Sequence, residues 1–374
     1  MNALLVLVLA AAPAMKDVDP VLDVMDAELK RAMTLSMPPS GESKPEKPYY
    51  ARSYVTVEDE FGVSANFGAL YPPGGGRSLS VDTAVRVGNE TFDNTNFSGG
   101  GFDFGFGRGR APAEEDLDAI RRALWLSYDA NYKSAVEAIA RKRAFLQANQ
   151  VKDLIADWSK TTPEVVLLTR EEPPKLDADA WANRVKSASA ACRASSKAHS
   201  CQVSFRLRHM CQRFLASDGA KHRFCETKYE LKVNAQGQAA DGMPVGSEWT
   251  TTARTEAELP NDAALLAIVK DTYGLLEKKL AAPSATEDYV GPVLFTGSAA
   301  PTFFLATLAG PLSFPRENLG QRQQGRLTER LGKHVSVSQL GATDDPTQKT
   351  WTSPAGVTLP LFGHYPVDDD GVTP

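Results

Sequence analysis

Thiols and imidazoles are the side chains of this 374-residue sequence best suited to chemistry, and most of them gather in one stretch. Cys192, Cys201, Cys211 and Cys225 fall within 34 positions, at spacings of nine, ten and fourteen. None of these is the paired C-x-x-C spacing of a compact zinc site. His199, His209 and His222 are interleaved with the cysteines, which raises a mixed His/Cys metal site as one reading. Their irregular spacing, and the position of His222 beside a turn, favour solvent-exposed imidazoles. His334 and His364 stand apart, with no carboxylate pair at ligand spacing. Asp368-Asp369-Asp370-Gly371 could act as a weak Ca²⁺ loop, but a solvated turn with a left-handed glycine is the more economical account. Neither G-x-S-x-G nor G-x-x-x-x-G-K-[ST] occurs, so a nucleophile elbow and a phosphate-cradling loop are both unsupported.

The elements that must hold the cysteines follow from their neighbours. Val203 to Leu215 and Lys221 to Val233 read as two strands around the turn Ser217-Asp218-Gly219. Centring that turn on Asp218 places Cys211 opposite Cys225, where a cross-strand bridge is geometrically possible. Cys192–Cys201 is then the second bridge. The alternative, four reduced and packed thiols, holds if the protein is cytosolic. The first fourteen residues, MNALLVLVLAAAPA, bear on that choice. Ala3 to Ala12 is an apolar run too short for a permanent bilayer span, and Ala12-Pro13-Ala14 has the small-x-small form of a signal-peptidase site, although no basic n-region precedes it. Residues 1–14 are therefore read as a signal peptide and the protein as exported, periplasmic or extracellular; a misassigned start or a buried first helix would leave it cytoplasmic.

Composition narrows the function classes. Apolar content of 42%, charged content of 23% and a net charge of −5 describe an ordinary globular chain with no nucleic-acid footprint. No later run of 18 apolar residues suggests a membrane span. Asp19 to Met37 reads as an amphipathic helix stopped by Pro38-Pro39. Tyr50 to Val57, Gly62 to Leu70 and Ser78 to Gly88 read as an antiparallel meander. Glu90 to Arg110 carries phenylalanines between glycines; a loop whose rings fold back on the protein is preferred to an RGG-like nucleic-acid segment. Glu114 to Ala148 is the strongest helical region, with a break expected near Ser127–Asp129 and a solvated face at Arg141-Lys142-Arg143. Val165 to Thr169 is a short strand and Leu176 to Ala191 a helix. Trp249 to Arg254 adds a strand, and Asp262 to Leu280 is a helix capped by Asn261 or Asp262. The fold class is α+β: an N-terminal helix and antiparallel-sheet domain, then the first part of a β-rich C-terminal domain.

Gly291 to Asp345 carries a further pattern. A short strand, Pro292 to Phe295, and the turn Thr296-Gly297-Ser298 lead into an apolar helix, Ala299 to Leu312, expected to be buried on both sides and ended by Gly310-Pro311. A Gln/Arg-rich segment and a second strand, His334 to Leu340, follow. This order, with LWLSYDANYKSAVEAIARKRA, the turn FLASDGAKHRF and the Asp368–Gly371 loop, resembles the TldD/PmbA family of zinc metallopeptidases and their non-catalytic sister subunits.

The resemblance implies that residues 15–285 are the family's N-terminal and central α+β region and 286–374 the start of its C-terminal domain. In the catalytic branch the apolar helix would carry His-Glu-x-x-x-His; here the slots hold Leu305-Ala306-Thr307-Leu308-Ala309-Gly310. No catalytic residue, metal ligand or cofactor is therefore expected, zinc belonging to catalytic relatives. The family's further β-rich segment, with its cysteine ligand, would lie beyond Pro374. The expected role is a non-catalytic subunit supporting proteolysis or peptide processing, paired with itself or with a catalytic TldD-like chain around peptides or unfolded polypeptide. A stand-alone exported binding protein is the alternative, and an active peptidase the least favoured.

Overall fold

The computed structural model describes residues 19–98, 108–151, 155–159, 162–168, 170–283, 288–297, 299–312, 318–320, 332–334, 337, 341, 343–365 and 367–368. The 1–14 leader, the Gln/Arg-rich segment at 321–330, most of the strand at 334–340 and Asp369-Asp370-Gly371 lie outside them. The fold is α+β, as its patterning predicts. Its centre is an eight-stranded sheet. In chain order the strands are β1 (Pro48–Asn66), β2 (Ala69–Leu70), β3 (Gly74–Val87), β4 (Arg108–Ala111), β5 (Val165–Leu167), β6 (Ala198–Ala216), β7 (Lys221–Gln238) and β8 (Pro244–Ala253). The spatial order is β4-β3-β1-β6-β7-β5, with β2 on β1 and β8 on β7. Every pairing is antiparallel except β5 with β7.

Four helices pack on this sheet: α1 (Pro20–Ala32), α2 (Leu117–Asn149), α3 (Ala178–Ala190) and α4 (Asp262–Ala281). Each begins at a side-chain cap from Asp19, Asp116, Asp177 or Asn261, which satisfies otherwise orphaned amides. Successive strand residues alternate between faces. Ala51, Val55 and Val57 of β1 join the core under α1 and α2, while Val63 and Ala65, on the same face, join a second core under α3 and α4. One face of one sheet thus carries two separate apolar cores. The other face is mostly polar, with Arg208–Glu58 and Arg206–Glu60 ion pairs at 2.6 Å.

Several expected boundaries move. β1 runs unbroken through Asp59-Glu60-Phe61-Gly62, because β3 and β6 pair with it on both sides there. α2 is continuous through Ser127, whose hydroxyl is satisfied by Thr83 Oγ1 at 2.8 Å inside the packed face. Lys142 does not face solvent: its ammonium is 1% exposed, lies 2.5 Å from Asp157 and donates to the Asp93 and Thr95 carbonyls. Phe92 packs on the first core and Phe97 lies against Phe145, so the visible rings of the 90–98 loop do fold back.

The outer face buries a small aromatic cluster, and His222 lies within it rather than in solvent. Tyr50, Tyr54, Phe214, Ala216 and Ala220 form the cluster beside Trp158. The His222 ring stacks on Phe214 at a centroid distance of 4.5 Å. Burial pushes its pKa down to about 4, against a smaller upward pull from Asp368. The unfolded imidazole titrates near pH 6.5. As pH falls between those values the unfolded chain takes up the proton first, so stability drops through that window. Urea midpoints measured from pH 7 to 4.5 should fall more steeply for the wild type than for His222→Phe. Parallel slopes would remove His222 as the cause.

Candidate functional site

Between the two cores the same face of the sheet turns polar. The registers Asp59↔His209↔Thr227, Val57↔Cys211↔Cys225 and Val55↔Arg213↔Arg223 stack three rows across β1, β6 and β7. Residue types at period two therefore place His209, Cys211 and Arg213 side by side on one surface. Cys211 and Cys225 are joined by a disulfide, and Cys192 is joined to Cys201 within the second core. His209 is buried, contrary to its expected exposure: its Nδ1 lies 2.8 Å from Thr227 Oγ1 and its Nε2 3.2 Å from the Glu171 carbonyl. That carbonyl is also 3.6 Å from Cys211 Sγ, and the Glu171 amide donates to Cys225 Sγ at 3.5 Å. The passage after β5 is thus a strap whose backbone seats on the disulfide.

The neighbouring row is a buried ion cluster. Asp19 Oδ2 accepts Arg213 Nε at 2.8 Å and Arg223 Nη1 at 2.9 Å, with all three side chains no more than 3% exposed. Arg213 also reaches Glu115 at 3.2 Å, and Arg77 and Arg170 bind the same carboxylate. Arg223 also donates from Nε and Nη2 to the Leu168 carbonyl, which ties the strap to the cluster. Burial lowers the pKa of this guanidinium below its usual value. Arg77 and Arg170 also pair with Asp59 and Glu172, at 3.9 and 3.7 Å, so four cations meet four carboxylates and the cluster is a structural joint between α1, α2, the strap and the sheet.

Beside the seam a cleft of about 350 Å³ opens at the sheet's edge. β7 is covered by β5 through residues 221–223 and by β8 through residues 229–238. Between them, among the described residues, no strand pairs with its outer edge at 224–228. Glu171, Cys225, Glu226, Arg254, Lys349 and His364 line the opening. Arg254 donates to the carbonyls of Lys349 and Leu361, clamping the hairpin of β9 (Thr350–Thr352) and β10 (Thr358–Pro360) to its rim. Burial, reinforced by Lys349 and Arg254, depresses the His364 pKa. Burial raises that of Glu226 against the pull of Arg254, Lys228 and Arg208. The opening thus combines both signs of charge with a strand edge that, among the described residues, no neighbouring strand covers.

The metal-motif slots lie elsewhere. Pro292 to Phe295 is not a strand, and residues 299–310 form a largely exposed helical run instead of one buried on both sides. α5 (Ala299–Phe304) passes into a π-helical turn, Leu305–Ala309, and the run continues through Gly310 to Leu312. Leu305 is 68% exposed, and Ala306 and Gly310 are exposed as well. None of the three has a donor atom, so these residues do not fit a zinc ion. His199 is exposed at the start of β6, and His334 is exposed. Of the three histidines around the cysteine hairpin, parity singles out His209: it stands two residues before Cys211, on the same face of the same strand.

No family model matches the sequence, and no curated protein matches it. Solved structures do overlap with it in part. One described as a modulator of a DNA gyrase, from Thermotoga maritima, has a TM-score of 0.37 at 12% identity, covering 61% of this chain and 45% of its own. Another so described, from Bacteroides thetaiotaomicron, has a TM-score of 0.42 at 9% identity, over 72% and 52%. TldE from Thermococcus kodakarensis gives 0.39 at 10%, over 67% and 47%. The chain spans about half the length of each of these structures. Likeness at this level assigns no chemistry.

Proposed function

We propose that this chain is a non-catalytic, polypeptide-handling protein of TldD/PmbA-like type, which seats an extended peptide segment on the open edge of β7 and works paired with a second copy or a catalytic relative. The observation that carries the reading is the break in strand coverage at residues 224–228, opening into a cleft lined by Glu226, Arg254 and Lys349. A bare strand edge offers unpaired backbone groups to an added strand, and flanking side chains supply selectivity. The apolar, exposed Leu305 and Ala306 support the non-catalytic part. Two disulfides favour an oxidising compartment, exported from the cytoplasm.

Hydrogen exchange on the purified chain, with and without an unstructured peptide, tests this reading. New protection should appear at the outward-facing amides of Cys225 and Thr227 and nowhere else along β7. Peptide binding without that protection would move the site elsewhere. A peptidase assay on the same preparation with added zinc should show no cleavage, and cleavage by the lone chain would refute the non-catalytic role. Recovery of the chain from its host with a zinc-bearing second subunit would establish the pairing; recovery alone and monomeric would leave a stand-alone binding protein.

A further inference from the structure

The chemistry of the seam goes beyond peptide handling and does not depend on it. We infer that reduction of the Cys211–Cys225 bond turns this row of the sheet into a binding site for one borderline-soft divalent cation of the zinc class, held by both thiolates and His209 Nε2.

The three ligand atoms already lie within 4.8 Å of one another, and no other group of three such side chains does so among the described residues. Nε2 of His209 is 3.5 Å from Cys211 Sγ. Zinc–sulfur and zinc–nitrogen bonds of about 2.3 and 2.0–2.1 Å set that edge of a tetrahedron at about 3.6 Å. The imidazole therefore needs no translation to become a ligand. Breaking the disulfide lets the sulfurs part to about 3.8 Å, the corresponding sulfur–sulfur edge, by side-chain rotation alone. His209 is also held at both ends. It can exchange an Nε2–H bond to the Glu171 carbonyl for an Nδ1–H bond to Thr227 Oγ1 without turning its ring, which frees the Nε2 lone pair for a metal. Metal-bound imidazoles are oriented by such a hydrogen bond on their other nitrogen.

The remaining conditions are access and charge. Cys225 is half-buried and lines the cleft, so a reductant and an ion can reach it, while Cys211 and His209 lie behind it. The fourth position is left to water or to the Glu171 carbonyl. Two thiolates and a dication sum to zero, so occupancy adds no net charge beside the Arg213 row. The other disulfide lacks these features: Cys192 and Cys201 are both fully buried in an apolar core.

The electrons come from a dithiol reductant, or from a phosphine in the test. With a dithiol, the Cys211–Cys225 bond breaks, each sulfur takes one of the dithiol's protons, and the reductant's sulfurs join. With tris(2-carboxyethyl)phosphine, phosphorus is oxidised to the phosphine oxide with oxygen from water, whose two protons go to the two sulfurs. The cation then displaces both thiol protons.

The test uses the full chain reduced with this phosphine and titrated with Co²⁺, followed by Zn²⁺. The expected result is one ion per reduced chain, with a thiolate-to-cobalt charge-transfer band that zinc abolishes, and none per oxidised chain. Bound zinc should slow alkylation of Cys211 and Cys225, as mapped by peptide mass spectrometry, and leave Cys192 and Cys201 unaffected. His209→Gln should abolish the charge-transfer band at stoichiometric cobalt. Thr227→Val keeps all three ligands and should weaken binding by about 10–100-fold, so it carries the test if His209→Gln fails to fold. No uptake by the reduced chain, protection at Cys192 and Cys201 instead, or loss of the native near-ultraviolet circular dichroism on reduction would each overturn the inference.

Discussion

Replacing Asp19 by alanine is expected to cost about 3–5 kcal/mol of folding stability, the range for removing one partner from a buried ion pair. Asp19 precedes α1 and caps it by accepting from the Val21 amide. The same carboxylate faces two guanidiniums, Arg213 and Arg223, that are almost wholly excluded from water. Without it both cations stay buried in a neighbourhood that has lost half of its nearby negative charge, with Glu115 reaching only Arg213. The lost cap adds about 0.5–2 kcal/mol to that penalty. Asp26→Ala is the comparison. Its ion pair with Lys30 lies on the solvent side of α1, so it should change stability by no more than ~0.5 kcal/mol. Chemical denaturation of both variants distinguishes the cases. A loss below about 1 kcal/mol for Asp19→Ala would mean that water reaches the cluster and the joint is not structural.

The second large effect belongs to the other core. Trp181 of α3 is 1% exposed and stacks on Phe205 of β6 at a centroid distance of 3.6 Å. Its indole nitrogen donates to Glu256 at 3.0 Å, and Arg184 lies over its ring. Trp181→Ala should destabilise the chain by about 3–5 kcal/mol, because the lost contacts are joined by a cavity that the two flanking helices cannot close. Trp181→Phe keeps the stack and gives up the hydrogen bond, so it should retain most of that stability. Equal losses for the two variants would assign the effect to the indole hydrogen bond instead of the packing.

Much of the fold was readable because its signals are local. The turn centred on Asp218 sets the β6–β7 register, and that register alone brings Cys211 opposite Cys225. Of the two cap candidates for α4, Asn261 or Asp262, it is the Asn261 side chain that accepts the Ala264 amide. What escaped depends on partners far along the chain. Asp59-Glu60-Phe61-Gly62 resembles a turn until β6, about 150 residues later, supplies Leu207 and His209 as cross-strand neighbours. Lys142 sits three residues after Ile139 on the buried stripe of α2, but a run of three cations masks it unless the Asp157 partner is known. The exposure of residues 299–310 was equally hidden, since an apolar run at helical spacing has the same pattern whether protein covers it or not.

The long reach of β1 also has a consequence for synthesis. β1 pairs with β3 on one side and with β6 on the other, and β6 begins 132 residues after β1 ends. α1, α2, β1 and β3 can assemble around the first core as they leave the ribosome, because their contacts are near in sequence. At about 5–20 residues per second the second edge of β1 then waits roughly 7–26 s for its neighbour. During that interval the nascent chain displays nineteen residues of strand, with Val55, Val57 and Val63 among them, to whatever else can pair. The acidic run Glu58-Asp59-Glu60 lies in the middle of that strand, where two nascent chains would meet and repel before they could join.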